Sequence, residues 1–117
     1  MKDEKYSEMV SGLLSRDLEN KRSIVLNTIG EAAAYEQLAE ECSELCKAAL
    51  KKVRYLCDEN PTPLTIQEID SSVIEELTDI KLVLNTIGIR PNDQIYIQKL
   101  NRWANRVQGG LNEDHTS

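Results

Sequence analysis

Phenylalanine is absent from this 117-residue chain, and the aromatic complement is four Tyr and one Trp. A core assembled from Leu, Ile, Val and Ala suits packed helices. Histidine occurs once, as His115, which removes metal sites built on several imidazoles. Cysteine occurs three times, an odd number with no C-x-x-C pair, so a disulfide framework is not expected and a reducing cytosol is the natural compartment. Cys42 and Cys46, one helical turn apart, are expected as small buried hydrophobes. No apolar run approaches the ~20 residues of a membrane span. The N-terminus MKDEKYSEMV lacks the apolar stretch of a signal peptide, and a soluble, cytoplasmic protein is expected.

Positive charge is also in deficit. The net charge is −6, which disfavours generic binding to nucleic acid or to an acidic membrane and suits a protein that collects cations. Basic residues concentrate late in the chain, where Arg90, Lys99, Arg102 and Arg106 face only Asp93 between positions 89 and 108.

The length is that of one domain, and the spacing of apolar residues predicts an antiparallel bundle of about four helices. A first segment runs from about Glu4 to Leu26, with a break expected in the polar stretch Arg16–Arg22. A second, from about Glu31 to Leu56, carries a stripe through Leu38, Cys42, Leu45, Ala49, Val53 and Leu56, and Thr28 to Glu31 reads as a capping box. Pro61 and Pro63 mark a loop over Asp58–Pro63. A third segment opens on another T-x-x-E, Thr65 to Glu68, carries a stripe through Ile66, Ile69, Val73, Leu77, Ile80, Leu84 and Ile87, and stops at Gly88. After Arg90-Pro91-Asn92 a fourth helix is expected to turn Leu100, Trp103, Ala104 and Val107 inward and to end at Gly109-Gly110. The domain is thus predicted over 1–110 and a disordered tail over 111–117. Val25-Leu26-Asn27-Thr28-Ile29-Gly30 recurs as Val83-Leu84-Asn85-Thr86-Ile87-Gly88, a duplicated helix stop or a coincidence.

Two acidic turns carry the chemistry. Glu40-Glu41-Cys42-Ser43-Glu44-Leu45 on the second helix and Glu75-Glu76-Leu77-Thr78-Asp79-Ile80 on the third share one pattern, acid-acid-x-x-acid-apolar. At about 100° per residue, Glu41 and Glu76 fall near the edge of their stripes, with Glu44 and Asp79 further out. If the stripes pack antiparallel, the four acids converge. Their mutual repulsion then requires neutralisation, and a hard divalent cation such as Mg²⁺ or Mn²⁺ supplies it through oxygen ligands. The same acids on a solvated face are an ordinary helical pattern, and that reading stands beside the first. A di-iron bundle needs Glu-x-x-His motifs, which the chain lacks.

Gln37-Leu38-Ala39-Glu40-Glu41-Cys42-Ser43-Glu44-Leu45 and Glu75-Glu76-Leu77-Thr78-Asp79-Ile80 resemble the E-x-x-E and E-x-x-D motifs of the MazG-like all-α nucleoside triphosphate pyrophosphohydrolases. Lys99-Leu100-Asn101-Arg102 resembles the basic stretch that follows them, and the similarity spans roughly residues 30–107. The resemblance implies Glu41, Glu44, Glu76 and Asp79 as Mg²⁺ ligands, with Mn²⁺ as a substitute. It implies a nucleoside triphosphate substrate, a dNTP or non-canonical NTP, cut to the monophosphate and pyrophosphate. Glu40 or Glu75 would orient the attacking water, Lys99 and Arg102 would stabilise phosphate charge, and Gln37 would meet base or ribose. A homodimer or homotetramer is expected, completing the thin core. Two other functions stay open: a phosphoribosyl-ATP pyrophosphohydrolase on the same scaffold, and a non-enzymatic helical interaction module.

Overall fold

The computed structural model describes the backbone of residues 2–57 and 63–116, and side chains within 4–57 and 63–110. Among these residues there are four helices and no strand: α1 (Lys2–Ile29), α2 (Glu31–Cys57), α3 (Ile66–Ile87) and α4 (Asp93–Thr116). Most of the loop expected over Asp58–Pro63 lies outside the described residues.

The all-helical expectation holds, and so do several helix boundaries. The Thr65 hydroxyl accepts the Glu68 amide at 3.2 Å, which caps one of the free donors at the start of α3. Gly88 takes a left-handed φ of 93° and its amide donates to the Leu84 carbonyl, which closes α3. The Asn92 carboxamide accepts the Ile95 amide at 3.0 Å and opens α4.

Three local expectations are corrected. α1 is unbroken: the polar stretch is made of residues that tolerate a helix, and Asp17 and Lys21 pair across one turn at 2.9 Å. Thr28 does not cap α2; its hydroxyl donates to the Ile24 carbonyl inside α1. The junction is Gly30 alone, at φ 87°, a conformation glycine adopts without steric cost. The repeated hexapeptide therefore ends α1 and α3 in the same way, each on a left-handed glycine and each with its threonine bonded back one turn. At the far end, α4 continues through Gly109 and Gly110 to Thr116, because neither glycine leaves right-handed backbone geometry.

The core lies between α2 and α3, which run antiparallel: Lys52 of α2 pairs with Asp70 of α3 at one end, while Glu41 meets Glu76 and Asp79 nearer the other. Ala34, Ala48 and Ile69 are the buried hydrophobes. The inner face of α2 runs through Ala34, Leu38, Glu41, Leu45, Ala48 and Lys52. It keeps Leu38 and Leu45 of the predicted stripe and departs from it at Cys42, Ala49, Val53 and Leu56. Cys42, Cys46, Val53 and Leu56 are exposed in the single chain. The small side chains at 34 and 48 admit close approach of α3, so packing selects the alanine face. On α3 the predicted stripe holds except at Leu77, which is exposed while its neighbour Glu76 is turned inward.

α1 touches both α2 and α3, whereas among the described residues α4 packs against no other helix. Leu100, Trp103 and Val107, expected inside, are all exposed. The radius of gyration is 20.4 Å, against about 13 Å for a compact domain of this length. No helix among the described residues is long and apolar enough to cross a membrane.

Candidate metal centre

The seam between α2 and α3 is apolar above and below one layer of acid. Leu38 precedes Glu41 by a turn and Leu45 follows it by a turn, all three partly buried. On α3, Glu76 and Asp79 sit on the inner face between Val73 and Val83. One carboxylate oxygen from each of Glu41, Glu76 and Asp79 lies within 4.8 Å of the other two. Two oxygens on one Mg²⁺ lie at most about 4.2 Å apart, twice the bond length, so side-chain rotations of these residues would be enough to close the three onto a single cation.

Electrostatics mark the same layer. The pKa of the Glu76 carboxyl is raised from its ordinary value. Removal of water from its carboxyl contributes most, followed by repulsion from Asp79, then Glu41, Glu44 and Glu75. Four other acidic groups thus act on Glu76 at a partly buried position, and no Lys or Arg ion pair reaches Glu41, Glu76 or Asp79 among the described residues.

Glu41 is held in place by its own helix. The Gln37 carboxamide donates to Glu41 Oε1 at 2.7 Å, one turn apart. A donor to a carboxylate oxygen orients the group and leaves its second oxygen free for another partner. Gln37, expected to meet the substrate, is in the structure a support for Glu41 as well as a residue of the neighbouring cleft.

The other expected site residues are distributed unevenly. Glu44 accepts from Lys47 Nζ at 3.2 Å and stands outside the three-carboxylate group, although its charge is felt at Glu76. Glu40 and Glu75 are exposed flanks of the acidic layer. Lys99 and Arg102 are on α4, and the single chain does not bring them to the acids.

A cleft of about 390 Å³ opens beside the carboxylates, with mainly apolar walls contributed by α1, α2 and α3. Glu41 and Asp79 line it, and so do Lys21 and Arg22 of α1. Its size falls in the range of small-molecule sites, roughly 300–1,000 Å³. The participation of α1 was not legible in the motifs. The one signal was the placement of Arg22 a turn before Leu26 and Val25 within an otherwise uneven stripe.

No protein-family model, curated protein or solved structure matches this chain.

Proposed function

We propose that the protein is a Mg²⁺-dependent nucleoside triphosphate pyrophosphohydrolase of MazG-like type, acting on a dNTP or non-canonical NTP. The observation that carries this reading is the layer of Glu41, Glu76 and Asp79 inside a helix–helix seam, with carboxylate oxygens within 4.8 Å of one another. Three ionised carboxylates on a packing face oppose folding unless a cation balances them. All-oxygen donors favour Mg²⁺ or Mn²⁺ over softer metals.

A bound divalent cation would polarise phosphate oxygens and lower the pKa of a coordinated water. Glu41, Glu76 and Asp79 would hold it, with Glu44 able to join by releasing Lys47. Glu40 or Glu75, on the outer edge of the layer, would accept a proton from the attacking water. The water oxygen adds to the α-phosphorus, the bridging bond to the β-phosphate breaks, and pyrophosphate leaves with the electron pair.

The working unit in this reading is a homodimer or homotetramer. The single chain exposes 10100 Å², whereas a folded monomer of this mass exposes roughly 6,400 Å². The excess, roughly 3,700 Å² per chain, is of the order that extensive obligate interfaces bury, which reach about 5,000 Å² and more counted over both partners. Much of it is apolar surface on α1 and α4 and on the outer stripe of α2. An assembly that covers α4 is also what would bring Lys99 and Arg102 to an acidic layer. Three free thiols, all exposed in the single chain, fit a reducing cytoplasm.

The test is pyrophosphate release from all common NTPs and dNTPs with Mg²⁺, using Glu41→Gln as control. Turnover of at least one triphosphate is expected, falling by about 10²-fold or more in the variant. Absence of turnover together with no Mg²⁺-linked rise in melting temperature would leave a helical interaction module instead.

A further inference from the structure

α1 contributes one residue that the hydrolytic reading does not use. From position 4 to position 29 its side chains are exposed, except for Arg22 and Leu26, which are partly buried one turn apart. Arg22 makes no ion pair or hydrogen bond among the described residues, while its neighbour Lys21 is engaged with Asp17. With no partner in the described residues, its five guanidinium donors are left to water or to a ligand.

Its surroundings define what would satisfy it. Arg22 lines the cleft that Glu41 and Asp79 also line, yet it pairs with neither. Arg22 also borders a second hollow of about 370 Å³ with Asn85 and Arg90, whose lining contains no carboxylate. Arg22 is thus common to two hollows, one lined by Glu41 and Asp79 and the other by a second cation, Arg90. Along the cleft the wall is apolar, formed by Val25, Ile29, Leu82 and Val83. Thr86 offers little there, since its hydroxyl donates to the Leu82 carbonyl.

A ligand complementary to this arrangement needs an anion that reaches both a carboxylate-held cation and a guanidinium, and an uncharged ring to cover the apolar wall. We infer that Arg22 is a substrate-binding residue that grips a phosphate of the nucleotide from within the same chain, and that the adjoining wall of α1 and α3 receives the base. The inference rests on the metal-centre reading above, and it specifies a nucleotide in preference to a free polyphosphate as the ligand. The planar guanidinium binds two phosphate oxygens at once, a geometry that lysine does not reproduce.

Calorimetric titration of the full chain tests this with three probes: Mg²⁺ alone, tripolyphosphate with Mg²⁺, and the α,β-imido analogues of the four common dNTPs with Mg²⁺. Arg22→Gln is expected to weaken the best-bound analogue by about tenfold to a hundredfold, the effect of losing a charge-assisted hydrogen bond. Val25→Gln, at an exposed position of the wall, is expected to weaken that analogue by several-fold and to leave tripolyphosphate binding unchanged. Arg22→Lys carries the test if the Gln variant does not fold, and weaker analogue binding is expected there too. Analogue binding by the Arg22 variants within twofold of the unsubstituted protein overturns the inference, as does tripolyphosphate binding as tight as any analogue. If Mg²⁺ alone still binds and Glu41→Gln abolishes that binding, the metal centre survives such a result; if Mg²⁺ does not bind at all, both readings fall.

Discussion

Glu41 of α2 and Glu76 of α3 meet across the helix seam at positions where the surrounding layers carry aliphatic side chains, their nearest carboxylate oxygens within 4.8 Å. Like charges so placed weaken the packing that brings them together. The same two residues should therefore affect stability in opposite directions with and without a divalent ion. In EDTA, Glu76→Gln is expected to raise the melting temperature, since one charge leaves the repulsive group. In millimolar Mg²⁺ the unsubstituted protein should gain stability, because a ligand that binds only the folded state adds its binding free energy. That gain should vanish in Glu41→Gln. Differential scanning fluorimetry reads both effects, and an equal Mg²⁺ response in the two proteins would refute the shared site.

The pH dependence follows from Glu76. Its carboxyl titrates higher in the folded chain than in the unfolded one. Between those two values the folded state holds more protons, so this group's contribution to stability is greatest at low pH and is lost as pH rises through the raised folded value. A melting-temperature profile in EDTA should show this decline, and the profile of Glu76→Gln should lack it. With Mg²⁺ the ionised form is the one that binds, so the metal-linked gain should grow over the same interval.

Gln37 orients Glu41 through a 2.7 Å hydrogen bond. Its replacement by Leu keeps the bulk and removes the donor. Mg²⁺ affinity is expected to fall by about tenfold, at the low end of what loss of an outer-shell partner costs. Titration calorimetry with Mg²⁺ alone separates this from any effect on nucleotide contact. Unchanged metal affinity would mean that Gln37 serves only the cleft.

Among the described residues α4 packs against no other helix, and it exposes Tyr96, Leu100, Trp103 and Val107. Light scattering after size exclusion should give a mass of at least two chains. Trp103→Asp together with Leu100→Asp should reduce that mass, with loss of melting cooperativity, since a charge in an apolar interface is strongly unfavourable. A monomeric unsubstituted protein with a cooperative melt would contradict the oligomer.

Several features were open to reading from the residues alone, each through a local physical rule. Thr65 and Gly88 bracket α3 because a hydroxyl satisfies an early amide and a glycine tolerates left-handed backbone. The two acidic turns were visible from their matching offsets, and three of the four expected ligands do come together. Misreadings arose where local rules tie. Thr28 satisfies the same T-x-x-E pattern as Thr65, yet its hydroxyl bonds backward into α1, because Gly30 already makes the turn.

What the chain determined by itself is its helical character, its helix stops and the repeated acidic pattern, all consequences of interactions within a few residues. Which face of α2 turns inward was decided by packing. The helix carries two apolar stripes, and close contact with α3 selects the one with Ala34 and Ala48, leaving Cys42 and Cys46 outside and moving Glu41 from the edge to the seam. The place of Arg22 beside the acids, and the separation of Lys99 and Arg102 from them, were likewise set by how whole helices lie against one another, a property that no local spacing encodes.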